Sequence, residues 1–328
     1  MSEKGYFPPY TLTDKIVNYV SNITEIITKI SINQSITNNL KLRKDNRIRT
    51  IHASLAIENN SLTLTQITDI INGKRVLGPL EEICEVKNAF EAYEKLLEMY
   101  PYNVEDMLSS HKILMNSLTK EAGIFRNGGV GIFAGERLVH MAPPANQVPY
   151  LIKNLVDWLK SSEVHPLIKS TVFHYEFEFI HPFADGNGRM GRMWQTLLLY
   201  NWNSLFGWLP IETIIKERQE EYYLALGKSD LNADSSSFIE FLLKAIYDSL
   251  NEITVTAQVT AQVTAQVEKL LKVMDEKEYS ASELMSNLGL NHRQSFRKSY
   301  LLPALEQGYI IMTIPDKPNS SNQKYKKI

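Results

Sequence analysis

The sequence predicts a mainly α-helical protein carrying one β-hairpin, with a small winged-helix domain at its carboxy-terminal end. Three observations lead there. Long stretches repeat apolar residues every three or four positions. One glycine-rich segment breaks that rhythm with two short apolar runs, and the residues after 266 read as three helices followed by two strands.

The first helix is expected over 13–45, where Ile16, Val17, Val20, Ile23, Ile26, Ile27 and Ile30 recur at helical spacing. A second runs from Arg47 to Glu58 and breaks at Asn59-Asn60; Ser61-Leu62-Thr63 then looks like the cap of a short element. Further helices are predicted from Leu80 to Tyr100, ending before Pro101, and over 103–120. In GIFRNGGVGIFAGERLVHMAPPA, Ile132-Phe133 and Leu138-Val139 flank a glycine-containing turn, so Gly129 to Pro144 reads as a hairpin. Helical spacing returns over 148–160, 166–180, 193–205, 211–227 and 235–250. Val255 to Val267 then repeats Val-Thr-Ala-Gln; a period of four suits a strand and nearly suits a helix, so periodicity alone does not decide. In the last segment Ser280 caps the second helix, His292 to Gln307 forms the third, and Tyr309–Ile314 pairs with Lys324–Ile328.

Composition narrows the functional classes. The chain has 328 residues, 44% hydrophobic and 22% charged, which fits a globular protein of more than one domain. A formal net charge of -2 provides no global field toward nucleic acid or anionic lipid. With Cys84 as the only cysteine, no intramolecular disulfide or cysteine metal cage can form; Cys84 itself is expected as a small buried hydrophobe. No basic stretch followed by an apolar run opens the chain, and no apolar run approaches ~18 residues. The expectation is a cytoplasmic protein with no membrane partner.

Chemistry concentrates in residues 181–192, HPFADGNGRMGR. Gly186-Asn187-Gly188, between a loop and a helix start, lets backbone N–H groups converge into an anion nest that the helix dipole reinforces. Arg189 and Arg192, three apart, can project from one helix face toward a polyphosphate. Asp185 is placed to hold Mg²⁺ with one carboxylate while phosphate oxygens complete the shell, and Asn187 can hydrogen-bond a phosphate oxygen. His181 supplies an imidazole that can take the proton of an attacking hydroxyl. Together these are the parts of a transfer of a phosphorus group from a nucleotide.

HPFADGNGRMGR resembles the signature of Fic-domain proteins, HPFx(D/E)GNGRxxR, with every specified position intact. The resemblance, over about residues 20–250, implies a Fic-type helical bundle with a hairpin "flap" and a protein adenylyltransferase activity: AMP is transferred from ATP to a Ser, Thr or Tyr hydroxyl of a target protein. It implies His181 as general base, Asp185 as Mg²⁺ ligand, Gly186, Asn187 and Gly188 as anion hole, and Arg189 and Arg192 as holders of the triphosphate. ATP and Mg²⁺ are the implied cofactors. The Doc subfamily, which phosphorylates its target, has lysine where this chain has Gly188. Phe173 to Ile180 resembles the helix leading into the family's active loop. Leu138, Val139, His140 and Met141 of the flap would dock the target segment by strand addition.

Ser54 to Asn59, SLAIEN, matches the family's self-inhibitory pattern (S/T)xxxE(G/N), with Ser54 and Glu58 on one helix face. A Glu58 carboxylate forming a bidentate pair with Arg192 would take that arginine from the γ-phosphate. The resemblance implies an inhibitory helical region (1–100) and a Fic core (101–250); the low-complexity repeat and the pattern after it add a linker (251–266) and the winged helix (267–328). The expected partners are a protein substrate, the chain itself included, and a second copy in a homodimer.

Residues 268–328 hold ten Lys or Arg against seven Asp or Glu. With Asn291, His292, Arg293, Gln294, Arg297 and Lys298 on its third helix, DNA contact is a further expected partner. Alternatives stay open: removal of AMP by the same site, or a DNA-binding regulator whose Fic-like part senses nucleotide. The intact His181 favours the enzyme, because a sensor needs the phosphate nest without a base.

Overall fold

The computed structural model describes residues 6–32, 40–134, 137–275, 277–306, 308–318, 320 and 322–327; residues 41, 132–134, 137–140 and 256–264 are described by backbone alone. The chain divides into two compact units, Met1–Glu252 and Ile253–Ile328.

In the first unit the elements are α1 (Asp14–Ile32), α2 (Leu40–Ile57), α3 (Leu64–Ile71), α4 (Leu80–Leu96), α5 (Val104–Leu114), the hairpin β1 (Gly131–Ala134) and β2 (Arg137–Met141), α6 (Val148–Ser161), α7 (Pro166–Ile180), α8 (Asn187–Trp202), α9 (Ile211–Glu217) and α10 (Gln219–Asn232). At its centre lie α7 and α8, buried on nearly every side, as expected of helices without a polar face. Among the helices around them α1 is amphipathic: it turns Ile16, Ile23, Ile27 and Ile30 inward and leaves Val17 exposed. Thr63 caps α3 with a reciprocal Gln66 contact, as Ser61-Leu62-Thr63 foretold.

Two expectations about the helices need correction. The helix expected over 13–45 is two helices, α1 and α2, with 33–39 outside the described residues. Cys84 is only partly buried, its thiol facing the Asn116 carbonyl at 3.6 Å.

In the hairpin, Gly131 faces Met141 and Ala134 faces Arg137, with an irregularity between Ile132 and Phe133. Its turn lies outside the described residues, as do the side chains of Leu138, Val139 and His140; Met141 is exposed.

A single helix, α11 (Ser236–Lys272), runs from the first unit into the second, and the backbone through the Val-Thr-Ala-Gln repeat is helical. The ambiguous period of four thus resolves toward 3.6 in the backbone of this helix. After it come β3 (Tyr279–Ser280), α12 (Ala281–Asn287), a helical stretch from Arg293 to Glu306 with one wider turn at Arg297–Leu301, β4 (Ile310–Met312) and β5 (Lys324–Lys327). Ser280 caps α12 with Glu283. The strands order β3-β5-β4, all antiparallel, over a core of Val267, Leu270, Leu284, Phe296 and Ile310. Helices closed by such a sheet are consistent with the winged-helix expectation; β3 was too short to read from sequence. No described helix is long and apolar enough to cross a membrane.

Candidate active site

Residues 181–186 form the turn between α7 and α8. His181 ends α7 in the left-handed region, φ 49°, and its own N–H closes onto the Phe177 carbonyl. Gly186 opens α8 at φ 82°, and a Cβ there would lie 2.6 Å from Met115 Sδ, so only glycine fits. Phe183 is fully buried and stacks on His111, ring centroids 3.6 Å apart.

Asn187 has a further, structural use beside the expected one. Its side-chain oxygen accepts from the Phe183 N–H and its amide donates to the Phe183 carbonyl, both at 2.8 Å. That amide braces the loop, with its oxygen and one of its two N–H donors spent on Phe183.

The two arginines also part company. Arg189 donates to Glu85 at 2.6 Å and to Asp185 Oδ1 at 3.2 Å. Arg192, 2% exposed, donates from Nε to Ser54 Oγ at 3.1 Å, and from Nη2 to the Ser54 carbonyl at 3.0 Å and Glu58 Oε1 at 2.7 Å. The predicted Glu58–Arg192 pair therefore forms, but through one carboxylate contact rather than two, while Ser54 takes Nε and the second donor of Nη2. Burial opposes the Arg192 charge, yet Glu58, and further off Tyr222 and Glu178, hold its pKa above the usual arginine range. Glu58 also sits over the first turn of α8: a Cβ on Gly188 would meet Glu58 Oε1 at 2.5 Å, so the close approach needs glycine. A carboxylate there is favoured by the helix dipole.

The local backbone accounts for the residue types of Ser54 to Asn59. α2 ends at Ile57, and Asn59 adopts φ 68°, a conformation that glycine or asparagine takes most readily. Lys216 donates to the Ala56 carbonyl at 2.8 Å and Gln219 to the Ile57 carbonyl at 3.0 Å, so the orphan carbonyls of the helix end are satisfied. Asn60 reaches Glu85 at 2.8 Å, and Glu85 holds Arg189, which links the end of α2 to the anion loop.

Four residues escaped the sequence reading. Glu85 and Lys216 carry no signal of their own. His111 lies on the buried face of α5 with Met107 and Leu114, and a histidine at a core position was that signal. Its Nδ1 accepts from the Gly123 N–H at 2.9 Å, so Nε2 carries the proton and donates to the Asp185 carbonyl at 3.0 Å. Burial pushes its pKa down to about 4, which keeps the ring neutral. Arg126, in a stretch of glycines whose bare carbonyls need donors, bonds the carbonyls of His181 (2.7 Å), Gly128 (2.8 Å), Pro143 (2.5 Å) and Ile180 (3.3 Å). One buried guanidinium thus joins the histidine to both roots of the hairpin.

Asp185 is the one carboxylate of the loop, with its side chain 61% exposed and Oδ1 also accepting from the Gly186 N–H. No group of three His, Cys, Asp or Glu poised for a metal occurs among the described residues. Mg²⁺ bound through phosphates needs one carboxylate rather than such a group, so the donor set fits.

The chain is 52% identical to a Fic family protein from Desulfovibrio desulfuricans G20, matching it over 98% of both chains with a TM-score of 0.77. The chain belongs to the Fic family. Residues 101–199 of this Fic chain match the Fic/DOC family model, and residues 265–327 match the Fic-like C-terminal domain of "filamentation induced by cAMP" proteins. It is 26% identical over 212 residues to protein adenylyltransferase Fic of Drosophila willistoni, covering 62% of this chain. The chain spans about 40% of the length of that relative. Fic-1 (aa134–508) from C. elegans shares the fold at 20% identity and a TM-score of 0.55, over 72% of this chain and 76% of that one.

Proposed function

We propose that this Fic protein transfers AMP from ATP to a hydroxyl of a target protein, with Glu58 holding the reaction in check. The Arg192 cluster carries the reading. A buried guanidinium at the end of an anion-binding loop is held by Ser54 and Glu58, and the carboxylate lies where it competes with a terminal phosphate. The backbone N–H groups at the start of α8 bind phosphate oxygens, and half-buried His181 accepts the proton of the attacking hydroxyl. The hydroxyl oxygen then bonds to the α-phosphorus, the bond to the bridging oxygen breaks, and pyrophosphate leaves. Mg²⁺ on Asp185 would neutralise phosphate charge during that step. β2 has no strand on its outer side among the described residues, which supports docking of a target segment there.

The test is transfer of label from α-³²P-ATP to the protein itself or to a lysate. Glu58→Gly should label strongly and the parent chain weakly, while His181→Ala in the Glu58→Gly background should not label. Equal labelling by the parent and Glu58→Gly chains removes the inhibitory role. Label arriving only from γ-³²P-ATP replaces AMP transfer with phosphorylation.

A second reading concerns the carboxy-terminal unit alone. Arg293, Arg297 and Lys298 are exposed on its third helix, and Lys324, Lys326 and Lys327 on β5. These cations favour contact with duplex DNA phosphates. Salt-dependent binding of random duplex by the full chain, weakened in Arg293→Ala/Arg297→Ala, is the expected result; binding that ignores both changes overturns it.

A further inference from the structure

Away from the loop, the first unit holds a cavity of about 390 Å³ beside the amino-terminal half of α2. Arg43, Lys44 and Arg47 of α2 line it together with the rings of Phe90, Tyr200 and Trp208. Glu94 is the one carboxylate on its wall, so the lining carries a net positive charge.

The cations are unequally satisfied. Lys44 donates to Asn72 at 2.9 Å, and Arg43 lies 5.8 Å over the Trp208 ring. Arg47 rests 5.1 Å over the Tyr93 ring, but its Nη1 is buried without a hydrogen-bond partner among the described residues. Burial pushes the Arg47 pKa down, with Tyr93, Glu94 and Glu212 opposing that shift only through longer-range attraction. A buried donor on a charged group without an acceptor is costly, and an anionic oxygen brought up to this guanidinium would offset part of that cost.

The walls specify more than charge. Gly207 approaches Tyr200 so closely that a Cβ would lie 2.8 Å from its ring, which fixes that ring as a flat surface. The volume falls in the roughly 300–1,000 Å³ range of small-molecule sites and is far larger than one phosphate needs. A planar group stacked on aromatic faces would fill the remainder.

We propose that this cavity binds a small anion carrying an aromatic ring, with its charged group at Arg47. The site is separate from the AMP-transfer loop. Arg47 precedes Ser54 by seven residues, roughly 10 Å along one helix. A ligand held here therefore grips the helix whose far end carries the contact to Arg192.

Phenyl phosphate, titrated calorimetrically into the full chain with and without saturating ATP, tests the site. The expected result is saturable binding that ATP leaves intact, weaker binding of inorganic phosphate, and a loss of roughly tenfold or more in Arg47→Gln. Lys44→Glu, at an exposed position, should weaken binding without lowering the melting temperature, so a folding defect in Arg47→Gln cannot decide the outcome. Absence of saturable binding, displacement by ATP, or unchanged affinity in Lys44→Glu overturns the proposal.

Discussion

Ser54 gives Arg192 two acceptors, its hydroxyl at 3.1 Å and its carbonyl at 3.0 Å, whereas Glu58 gives it one. The serine is thus the larger geometric share of the hold, and Glu58 is the charged share. Ser54→Ala removes only the hydroxyl contact and leaves the ion pair. It should cost about 0.5–1.5 kcal/mol in thermal unfolding and release less AMP transfer than Glu58→Gly. Labelling from α-³²P-ATP beside melting curves checks both; release equal to that of Glu58→Gly would make Ser54 the main element of control.

Asn187→Ala should act through the loop. Its side chain closes both polar groups of Phe183, so the variant leaves a buried N–H and carbonyl unsatisfied, at about 1–3 kcal/mol. The expected signature is a lowered melting temperature in the absence of nucleotide. A side chain that bound only phosphate would lower ATP affinity and leave the nucleotide-free melting temperature unchanged.

Arg126→Lys keeps a charge but not the fork that reaches four carbonyls. Measured in the Glu58→Gly background, transfer should fall roughly tenfold or more, with kcat reduced because the His181 backbone loses its anchor. KM for the target should rise as the roots of the hairpin loosen. A change in neither parameter would remove the positioning role.

Two buried groups have opposite pH signatures. Burial raises the pKa of Glu176, hydrogen-bonded to the Tyr6 hydroxyl and near Asp230, to about 7. From the ordinary 4.5 up to about 7 the unfolded chain is ionised where the folded chain holds a proton, so this group lowers stability as pH rises. His111, lowered from 6.5 to about 4, does the reverse: below 6.5 the unfolded chain gains a proton that the fold refuses, so stability falls as pH drops. Each amounts to up to about 3 kcal/mol, and over the shared window they nearly cancel. Glu176→Gln should therefore gain on the parent chain between about pH 4.5 and 7. A melting-temperature difference that is flat across that interval would refute the assignment.

How much of this was legible before the fold is clear from particular residues. Glycines at 186 and 188 and arginines at 189 and 192 point to an anion nest because that geometry is local, decided within one loop and one helix turn. The Glu58–Arg192 pairing was accessible through a resemblance, although the two residues are 134 apart. What stayed hidden depends on distant chain segments. His111 meets the Asp185 carbonyl across 74 positions, and Glu85 meets Arg189 across 104. The bracing role of Asn187 was hidden because an amide at a nest has two uses, and only the position of the Phe183 backbone reveals this one. The four-residue repeat was ambiguous for a similar reason, since its period lies between the two regular ones.

The grip of Lys216 and Gln219 on the last carbonyls of α2 determines what kind of motion can free Arg192. Withdrawing the helix would break both of those bonds along with the Ser54 contacts. Rotating Glu58 about its own side-chain torsions breaks a single ion pair at a group that is 31% exposed. The cheaper path is the second. Under the proposed control by Glu58, the latch is one side chain long, thrown by a rotamer change that leaves the bonds of Lys216 and Gln219 to the helix end in place.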